Sequence, residues 1–230
     1  MKRFWKEVAV VAEDGGWGIA LDGRPVRTPQ RAPLAVANAV LAEAVAAEWR
    51  EVRETIDPAA MPMTGLTNAA IDLAAPDPAA FAVPVAAYAE SDLFCYRDAR
   101  DAVLQAEQAA AWNPLLAWAE AHYGVEFALT QGVLPINQPE ATVAVLRDAV
   151  LAQDHWRITA LTPLVTIGGS LVAGLALLER AFDADALWEA VSLDELYQER
   201  RWGADREAQN ARAANKRDWD NAARFLGLLN

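Results

Sequence analysis

The stretch GWGIALDGRPVRTP, residues 16–29, decides the fold of the N-terminal part of the chain. Large and small residues alternate over 17–21, and Asp22-Gly23 is a strong two-residue hairpin signal. Residues 24–28 then follow as the returning strand. The spacing predicts two antiparallel strands joined by a tight turn.

Two neighbouring segments extend this pattern to a small sheet. Residues 4–12 are rich in Val and aromatic side chains, and EDGG at 13–16 predicts a turn after them. APLAV at 32–36 predicts a fourth short strand. The result is a β-meander whose apolar face must be covered by a helix or by another sheet.

The periodicity becomes helical after residue 38. Apolar residues in the next turns have the spacing of an amphipathic helix, which the side chain of Asn38 can cap. Asp57-Pro58 and Asp77-Pro78 each place a capping acid before a proline, which predicts two further helix starts. The predicted later helices cover 58–73, 78–92, 102–122, 139–153, 170–180, 185–201 and 205–228.

The sequence therefore predicts an α+β fold. A small β-rich domain with helices occupies residues 1–80, and an all-α domain occupies residues 81–230. Two Xaa-Pro dipeptides between residues 74 and 84 interrupt the helical pattern, so we place the domain boundary there. Pro84 lies inside a predicted helix and is expected to kink it or to shift its start.

Composition excludes several classes of protein. The chain has 230 residues, 54% of them hydrophobic, and a net charge of -12, which disfavours disorder, nucleic-acid binding and attachment to anionic membranes. A single cysteine, Cys95, and two histidines exclude an internal disulfide and a cysteine-based zinc site, so no metal is expected. We therefore expect a protein partner and a reducing compartment.

The start of the chain predicts a cytoplasmic protein. MKRFWKEVAVVAED, residues 1–14, resembles neither a secretory signal nor a transit peptide, because charged residues interrupt it. Few lysines beside many arginines and alanines suggest a bacterial genome rich in GC, hence bacterial cytoplasm. A processed eukaryotic form would lie in the mitochondrial matrix.

One uncharged stretch, ITALTPLVTIGGSLVAGLALL at 158–178, is as long as a membrane span. Pro163, the Gly168-Gly169 pair and several hydroxyl residues lower its hydrophobicity. We expect a loop or short helix ending near Pro163, followed by a buried helix from Ser170. A membrane-inserted component is the alternative.

Motifs of the common enzyme classes are absent from the sequence. There is no GxxxxGK[ST] and no GxGxxG, so no nucleotide cofactor is expected. GGSLV at 168–172 begins like a nucleophile elbow, but the required final Gly is Val172. His122 and His155 are isolated along the chain, and neither is assigned a catalytic role.

The segment DELYQERRWGAD, residues 194–205, is the strongest cluster of candidate functional residues in the sequence. On a helix Asp194, Gln198 and Trp202 share one face, with Glu195 and Glu199 beside them. One interpretation is an acidic, Trp-bearing edge that binds another protein. The structural alternative is a first-turn acid paired with an arginine and a tryptophan that closes the core.

Several blocks of the sequence together resemble one family, the assembly chaperone of the F-type ATP synthase that acts on the α subunit of the catalytic head. The similar blocks span nearly the whole chain and occur in the same order as in the family. LDGRPVRTP and SLDELYQERRWGAD are the most specific of them. The blocks are RFWKEVAV (3–10), GWGIALDGRPVRTPQRAPLAV (16–36), AEAVAAEW (42–49), IDPAAMPMTGLTNAAID (56–72), YAESDLFCYR (88–97), WNPLL (112–116), GGSLV (168–172) and DELYQERRWGAD (194–205).

The resemblance implies an ATP-independent chaperone, monomeric when free, that holds the α subunit until the β subunit replaces it. It also implies an N-terminal α+β domain followed by an orthogonal helical bundle. The family's acidic functional position matches Glu195. With Asp194, Gln198, Trp202 and Asp205, this residue forms the predicted partner-binding set.

An enzyme remains the competing hypothesis. Asp194, Glu195 or Asp205 would act as acid and base, without a cofactor, in a cleft between the two parts of the chain. This hypothesis predicts a deep pocket with a raised carboxylate pKa, whereas the chaperone predicts a shallow, exposed patch.

Overall fold

The computed structural model describes residues 2–13, 16–132 and 134–229, and the chain forms two compact units. The first unit comprises Met1–Phe81, Asp154–Ala160 and Arg224–Asn230, and the second comprises Ala82–Gln153 and Leu161–Ala223. The first unit contains a small antiparallel sheet, and the second is mainly helical. The predicted α+β fold class, with a helical bundle after the sheet, is confirmed.

The sheet of the first unit is the predicted meander. Strand β2 lies between β1 on one edge and both β3 and β4 on the other, and every pairing is antiparallel. The returning strand is shorter than predicted, although the amide of Val26 still donates to the carbonyl of Ile19 at 2.8 Å. The middle of the predicted EDGG turn, Asp14 and Gly15, lies outside the described residues. The strands are β1 (Val8–Glu13), β2 (Gly16–Leu21), β3 (Arg24–Pro25) and β4 (Ala35–Val36).

The turn between β2 and β3 has the geometry that its sequence requires. Asp22 and Gly23 have φ angles of 48° and 76°, as expected for a two-residue hairpin turn. The Asp22 carboxylate also accepts the backbone amides of Lys6, at 3.0 Å, and Glu7, at 2.8 Å. These hydrogen bonds lower the pKa of Asp22 and fix the chain where it enters β1.

The helices that follow agree with the predicted pattern, with four differences described below. The side chain of Asn38 caps the first helix by accepting the amide of Leu41 at 2.8 Å, as predicted. The helices are α1 (Ala39–Glu51), α2 (Pro62–Ala69), α3 (Pro78–Ala86), α4 (Ala102–Tyr123), α5 (Glu140–Leu151), α6 (His155–Gly168), α7 (Leu171–Leu178), α8 (Ala184–Val191), α9 (Leu193–Trp202) and α10 (Arg206–Leu228).

The predicted helix over 58–73 is interrupted near its start. Asp57 caps only a 3₁₀ turn, Pro58–Ala60, and α2 begins at a second proline, Pro62. At its other end α2 continues as a π-helix, Ala70–Ala74. The prediction of one continuous helix was wrong because Pro62 offers a second favourable N-terminal position.

A buried carboxylate joins α1 to α2. Met61 precedes α2 and gives it no side-chain cap, and Glu48 of α1 takes that role. Its carboxylate accepts the amides of Met63, at 2.7 Å, and Thr64, at 2.8 Å, and the Thr64 hydroxyl at 2.7 Å. Burial raises the pKa of Glu48, and these hydrogen bonds oppose that shift.

The predicted helix over 78–92 ends earlier than expected. Its α-helical part is α3, with Pro84 inside, and the chain then tightens into a 3₁₀ helix, Ala87–Glu90. A further 3₁₀ helix, Leu93–Cys95, leads to strand β5 (Tyr96–Arg97), which pairs in parallel with β6 (Thr130–Gln131). The sequence did not predict these two strands, because each has only two residues.

A second buried carboxylate organises the second unit. Asp92 is 1% exposed and caps the Leu93–Cys95 helix by accepting the amide of Phe94 at 3.0 Å. It also accepts the Ser170 hydroxyl at 3.0 Å and the amide of Val172 at 2.9 Å. Ser170 in turn caps α7 through the amide of Ala173 at 3.0 Å. Asp92 thereby joins two segments that are far apart in the sequence.

Stability is expected to depend on pH through Asp92. Burial raises the pKa of Asp92 from 3.8 to about 6, so the folded chain retains a proton there that the unfolded chain releases. Between about pH 4 and pH 6 this group therefore makes folding less favourable as pH rises. In denaturant unfolding, the wild-type protein should lose stability relative to Asp92→Asn between pH 4.5 and pH 7. A difference that does not change with pH would contradict the shift.

The stretch 158–178 forms two helices, α6 and α7. The expected end near Pro163 was wrong, because α6 continues through this proline to Gly168. Ile158, Leu161 and Leu164 are fully buried, and their packing offsets the cost of a proline inside the helix. The predicted helix start is confirmed, with Ser170 as the cap of α7.

Glycines in this stretch let the chain turn between α6 and α7 and let neighbouring side chains pack against the backbone. Gly169 has a φ of 66° and separates α6 from α7. A Cβ atom at Gly174 would lie 2.6 Å from Cγ2 of Val165, and one at Gly168 would lie 2.9 Å from Cζ3 of Trp219. Larger residues therefore do not fit at positions 168 and 174 without displacement of their neighbours.

In the part of the chain that the structure describes, no single helix has the length and apolar character needed to cross a membrane. One pair of helices with a bend at its junction, Pro62–Ala74 and Pro78–Cys95, meets these criteria jointly, by length and composition only.

The predicted helix over 185–201 is divided in two. Asp183 caps α8 through the amide of Ala186 at 2.9 Å, and α8 ends at Val191. The chain turns at Ser192, which has φ and ψ angles of -92° and 1°, and α9 begins at the next residue. The apolar spacing continues across Ser192, so the sequence pattern did not indicate this break.

Candidate partner-binding site

Helix α9 carries most of the predicted site residues. Asp194 and Glu195 lie in its first turn, and Arg200 and Arg201 lie in its last turn. This distribution of charge stabilises the helix, because its N-terminal end is partly positive and its C-terminal end partly negative. Gly203, with a φ of 96°, ends the helix.

Polar contacts hold the inner face of α9 against α4 and the loop before it. Gln108 donates to the carboxylate of Asp194 at 2.8 Å. Tyr197 and Arg201 both donate to the carboxylate of Asp101, at 2.7 Å and 2.6 Å. Asp101 also caps α4, by accepting the amide of Val103 at 3.0 Å. The position of α9 is thus fixed by hydrogen bonds to the start of α4.

The two carboxylates of this inner face have opposite pKa shifts. Burial raises the pKa of Asp194, and the hydrogen bond from Gln108 partly opposes it. The hydrogen bond from the Tyr197 hydroxyl lowers the pKa of Asp101. Asp101 is therefore held as the charged partner of Arg201, while Asp194 is a half-buried structural acid.

The outer face of α9 and the first turns of α10 form an open groove of about 430 Å³. Small side chains of α10, Ala208 and Ala211, form part of its lining, and Trp202 and Gly203 lie where the chain passes between the helices. The lining residues are Glu195, Gln198, Glu199, Trp202, Gly203, Asp205, Ala208, Ala211, Arg212 and Asn215.

One arginine neutralises only part of the acidic charge in this groove. Arg212 forms an ion pair with Glu199, and its other terminal nitrogen lies 3.9 Å from the carboxylate of Glu195. Hydrogen bonds from Arg212 and Gln209 lower the pKa of Glu199. The Glu195 side chain is 64% exposed, so its carboxylate stays accessible to a cation from outside.

Trp202 is the most exposed tryptophan of the chain, at 73%. Within the described ranges no aromatic ring or cation stacks on it. On its other side it borders a second shallow groove, where Val103 is also exposed. The alternative in which this tryptophan closes the core was wrong. Trp112 and Trp219, both fully buried, have that role.

The structure brings four of the five predicted residues to one place. Glu195, Gln198, Trp202 and Asp205 line the groove between α9 and α10, and Asp205 also caps α10 through the amide of Glu207 at 2.8 Å. Asp194 lies apart, because its carboxylate contacts Gln108 of α4. Asp194 is therefore joined to α4 and does not line the groove.

Four groove residues of α10 were missed by the sequence analysis. Ala208, Ala211, Arg212 and Asn215 recur at helical spacing, and their small and polar side chains differ from the apolar face of α10 farther along. This spacing was the available signal. It could place the residues on one face of α10 but could not indicate that α9 lies against that face.

Asp194, one of the three carboxylates of the competing enzyme hypothesis, does not line the groove that holds the other two. The raised pKa belongs to Asp194, whereas Glu195 and Asp205 lie in the open groove. Among residues 2–13, 16–132 and 134–229, no three His, Cys, Asp or Glu side chains are grouped to hold a metal ion.

The family model and the solved structures that match this chain are described as Atp12 or as chaperones. A family model described as ATP12 chaperone protein matches residues 2–120, more than half of the chain. The crystal structure of Atp12 from Paracoccus denitrificans is 40% identical with a TM-score of 0.95, and the match covers 100% of this chain and 98% of that one. A structure from Agrobacterium tumefaciens is 34% identical with a TM-score of 0.94, over 100% and 86% of the two chains.

A mitochondrial relative is more distant. The protein atp12 of Schizosaccharomyces pombe is 23% identical over 215 residues, which is 88% of this chain and 74% of the relative. The family resemblance drawn from the sequence blocks is thus confirmed by the family model and by structures that match along the whole length. The chain belongs to the ATP12 chaperone family, whose members are assembly chaperones of the ATP synthase.

Proposed function

We propose that this chain binds the free α subunit of the F-type ATP synthase head, prevents its aggregation and releases it to the β subunit. The observation that carries this proposal is the exposed Trp202 beside an acidic groove on a firmly held helix. Trp is enriched at the energetic centres of protein interfaces, and an isolated exposed Trp has a solvation cost that a partner can remove.

The chemistry of the groove suits the binding of a subunit that has not yet been assembled. An unassembled ring subunit exposes an apolar surface that promotes aggregation, and a chaperone must cover it reversibly. The groove is open, and it combines one aromatic anchor with accessible carboxylates. Carboxylates at the edge of an interface mainly accelerate association with a basic surface, so binding can remain weak enough for displacement.

This function requires no catalytic group, no cofactor and no ATP. The half-buried acid Asp194 supports the position of α9 through Gln108. Identity of 34–40% to bacterial relatives, against 23% to the mitochondrial one, supports the cytoplasm of a bacterium as the compartment. Glu195, Gln198, Trp202 and Asp205 form the proposed contact set, with Asp194 behind them.

The function is tested by co-purification. The tagged chaperone is expressed with the α subunit or with the β subunit of the same organism, and the captured complexes are compared without added nucleotide. Capture of α alone supports the proposal, and addition of β should then release it. Capture of β, or of neither subunit by a folded chaperone, contradicts the proposal.

Replacement of Trp202 by alanine is expected to weaken α-subunit binding by about 2 kcal/mol, or roughly 30-fold in the dissociation constant. Because Trp202 is 73% exposed, the melting temperature should change little. Leu134→Ala is a matched control, since Leu134 is 74% exposed but lies outside the groove. Calorimetric titration measures both variants. Equal binding by Trp202→Ala and wild type would remove Trp202 from the interface.

Charge reversal at Glu195 is expected to weaken binding by about 1–2 kcal/mol, mostly through slower association. Glu51→Lys changes the net charge by the same amount at an exposed position of α1, so it controls for long-range attraction. Stopped-flow measurements at low and high salt separate the two effects. If both variants slow association equally, Glu195 makes no specific contact.

A further inference from the structure

The sheet of the first unit has a free edge at β1. Within the described part of the chain, β1 pairs with β2 alone, while the opposite edge of β2 is covered by β3 and β4. An edge strand presents backbone N–H and C=O groups that can pair with another strand.

The register shows which residues of β1 present these groups. The amide of Asp22 donates to the carbonyl of Glu7 at 3.1 Å, so these two residues form a hydrogen-bonded pair. In the β1–β2 register every second residue, Ala9, Val11 and Glu13, repeats this arrangement. The backbone groups of Val8, Val10 and Ala12 therefore point away from β2.

This edge lacks the features that usually prevent pairing. Residues 8–12, VAVVA, contain no proline and no charged residue, and their register with β2 is continuous, without a bulge. These residues are half-buried or exposed. Edge strands of monomeric proteins are commonly interrupted by lysine, proline or a bulge, so an uninterrupted apolar edge indicates a binding role.

A second copy of the chain fits this edge poorly. One antiparallel register pairs all three outward residues, with Val10 opposite Val10 of the other copy. In that register Glu7 lies opposite Glu13 at both ends, and directly opposed like charges are unfavourable. The same two acids favour a strand that carries basic residues six positions apart.

We propose that β1 is a second contact for the client protein, which adds an extended strand to this edge. The strand has an apolar run flanked by lysine or arginine at positions i and i+6, opposite Glu13 and Glu7. This inference rests on the proposed function for the identity of the client, the ATP synthase α subunit.

The edge can be tested without the client. The probe is the peptide Lys-Thr-Val-Thr-Val-Thr-Lys, added to the ¹⁵N-labelled chain, and the control peptide has glutamate at both ends. The amide resonances of Val8, Val10 and Ala12 should shift, and the control peptide should bind about tenfold more weakly. No shift at these residues, or equal binding of the two peptides, would overturn the proposal.

Two variants test the edge in the complete chaperone. Val10→Pro removes an outward amide without breaking the β1–β2 ladder, since proline is tolerated on an edge strand. Val10→Ala retains the amide and shortens the same side chain. We expect client binding to fall about tenfold with Val10→Pro and to change less than threefold with Val10→Ala, with both variants folded by circular dichroism.

The outcomes separate the two proposals. Binding of the α subunit by wild type, together with equal binding by folded Val10→Pro, refutes the edge contact and leaves the proposed function intact. Failure of the wild type to bind the α subunit refutes the proposed function. The peptide titration then still decides whether the edge accepts a basic strand.

Discussion

The free energy of unfolding of the variant Asp92→Ala is expected to be about 3–4 kcal/mol lower than that of the wild-type protein. In the wild type the Asp92 carboxylate accepts hydrogen bonds from Phe94, Ser170 and Val172, and all three of these residues are fully buried. Each buried donor left without an acceptor costs about 1–3 kcal/mol of stability. The variant no longer buries a carboxylate, and this gain offsets part of the total cost. Urea unfolding at pH 7 measures the difference.

An exposed cap provides the control for this variant. Asp183 also caps a helix of the second unit, through the amide of Ala186, but it lies at the surface. Asp183→Ala should therefore cost only about 1 kcal/mol, the usual value of an N-cap. If both variants lost the same stability, the burial of Asp92 would add nothing to its role as a cap.

Removal of the Glu48 carboxylate, in Glu48→Ala, is expected to cost about 2–3 kcal/mol of stability. Glu48 supplies the N-terminal acceptor that Met61 does not give to α2, so in this variant the amides of Met63 and Thr64 lose their carboxylate acceptor. Loss of the hydrogen bond from the Thr64 hydroxyl adds to this cost. The contact between α1 and α2 should loosen first.

Hydrogen exchange locates the effect of this variant. In Glu48→Ala the amides of Met63 and Thr64 should exchange faster than in wild type, in addition to the loss of overall stability measured in urea. Glu51→Ala, at an exposed position one turn farther along α1, should change stability by less than about 0.5 kcal/mol. Unchanged protection at Met63 and Thr64 would show that another group caps α2.

The sequence predicted elements whose signals are local. The hairpin at Asp22-Gly23 and the cap at Asn38 depend on residues only a few positions apart, and the structure confirms both. Helix α4 was also predicted within one residue, because Asp101 caps its start and Gly124 ends it in a left-handed conformation. Local chemistry specifies these positions strongly enough that tertiary packing does not override it.

Elements that depend on distant partners were not predictable. Helix α6 continues through Pro163 because buried neighbours offset the missing hydrogen bond, and the parallel pair of β5 and β6 forms between segments more than 30 residues apart. The candidate site shows the same limit. The spacing in 194–205 put Asp194, Gln198 and Trp202 on one face. Only the fold reveals that Asp194 contacts α4 instead, and that Arg212 of α10 pairs with Glu199 in the groove.

The composition of the first unit has a consequence for how the protein is made. This unit begins with the first strands of the chain, yet it also contains residues 224–230. The carboxamide of Asn38 donates to the carbonyl of Leu228 at 2.9 Å, and Phe225 is fully buried against Trp156. During synthesis the sheet therefore emerges first, but its unit stays incomplete until residues 224–230 have been made. The first unit of this assembly chaperone therefore cannot complete its packing before the whole second unit has been synthesised.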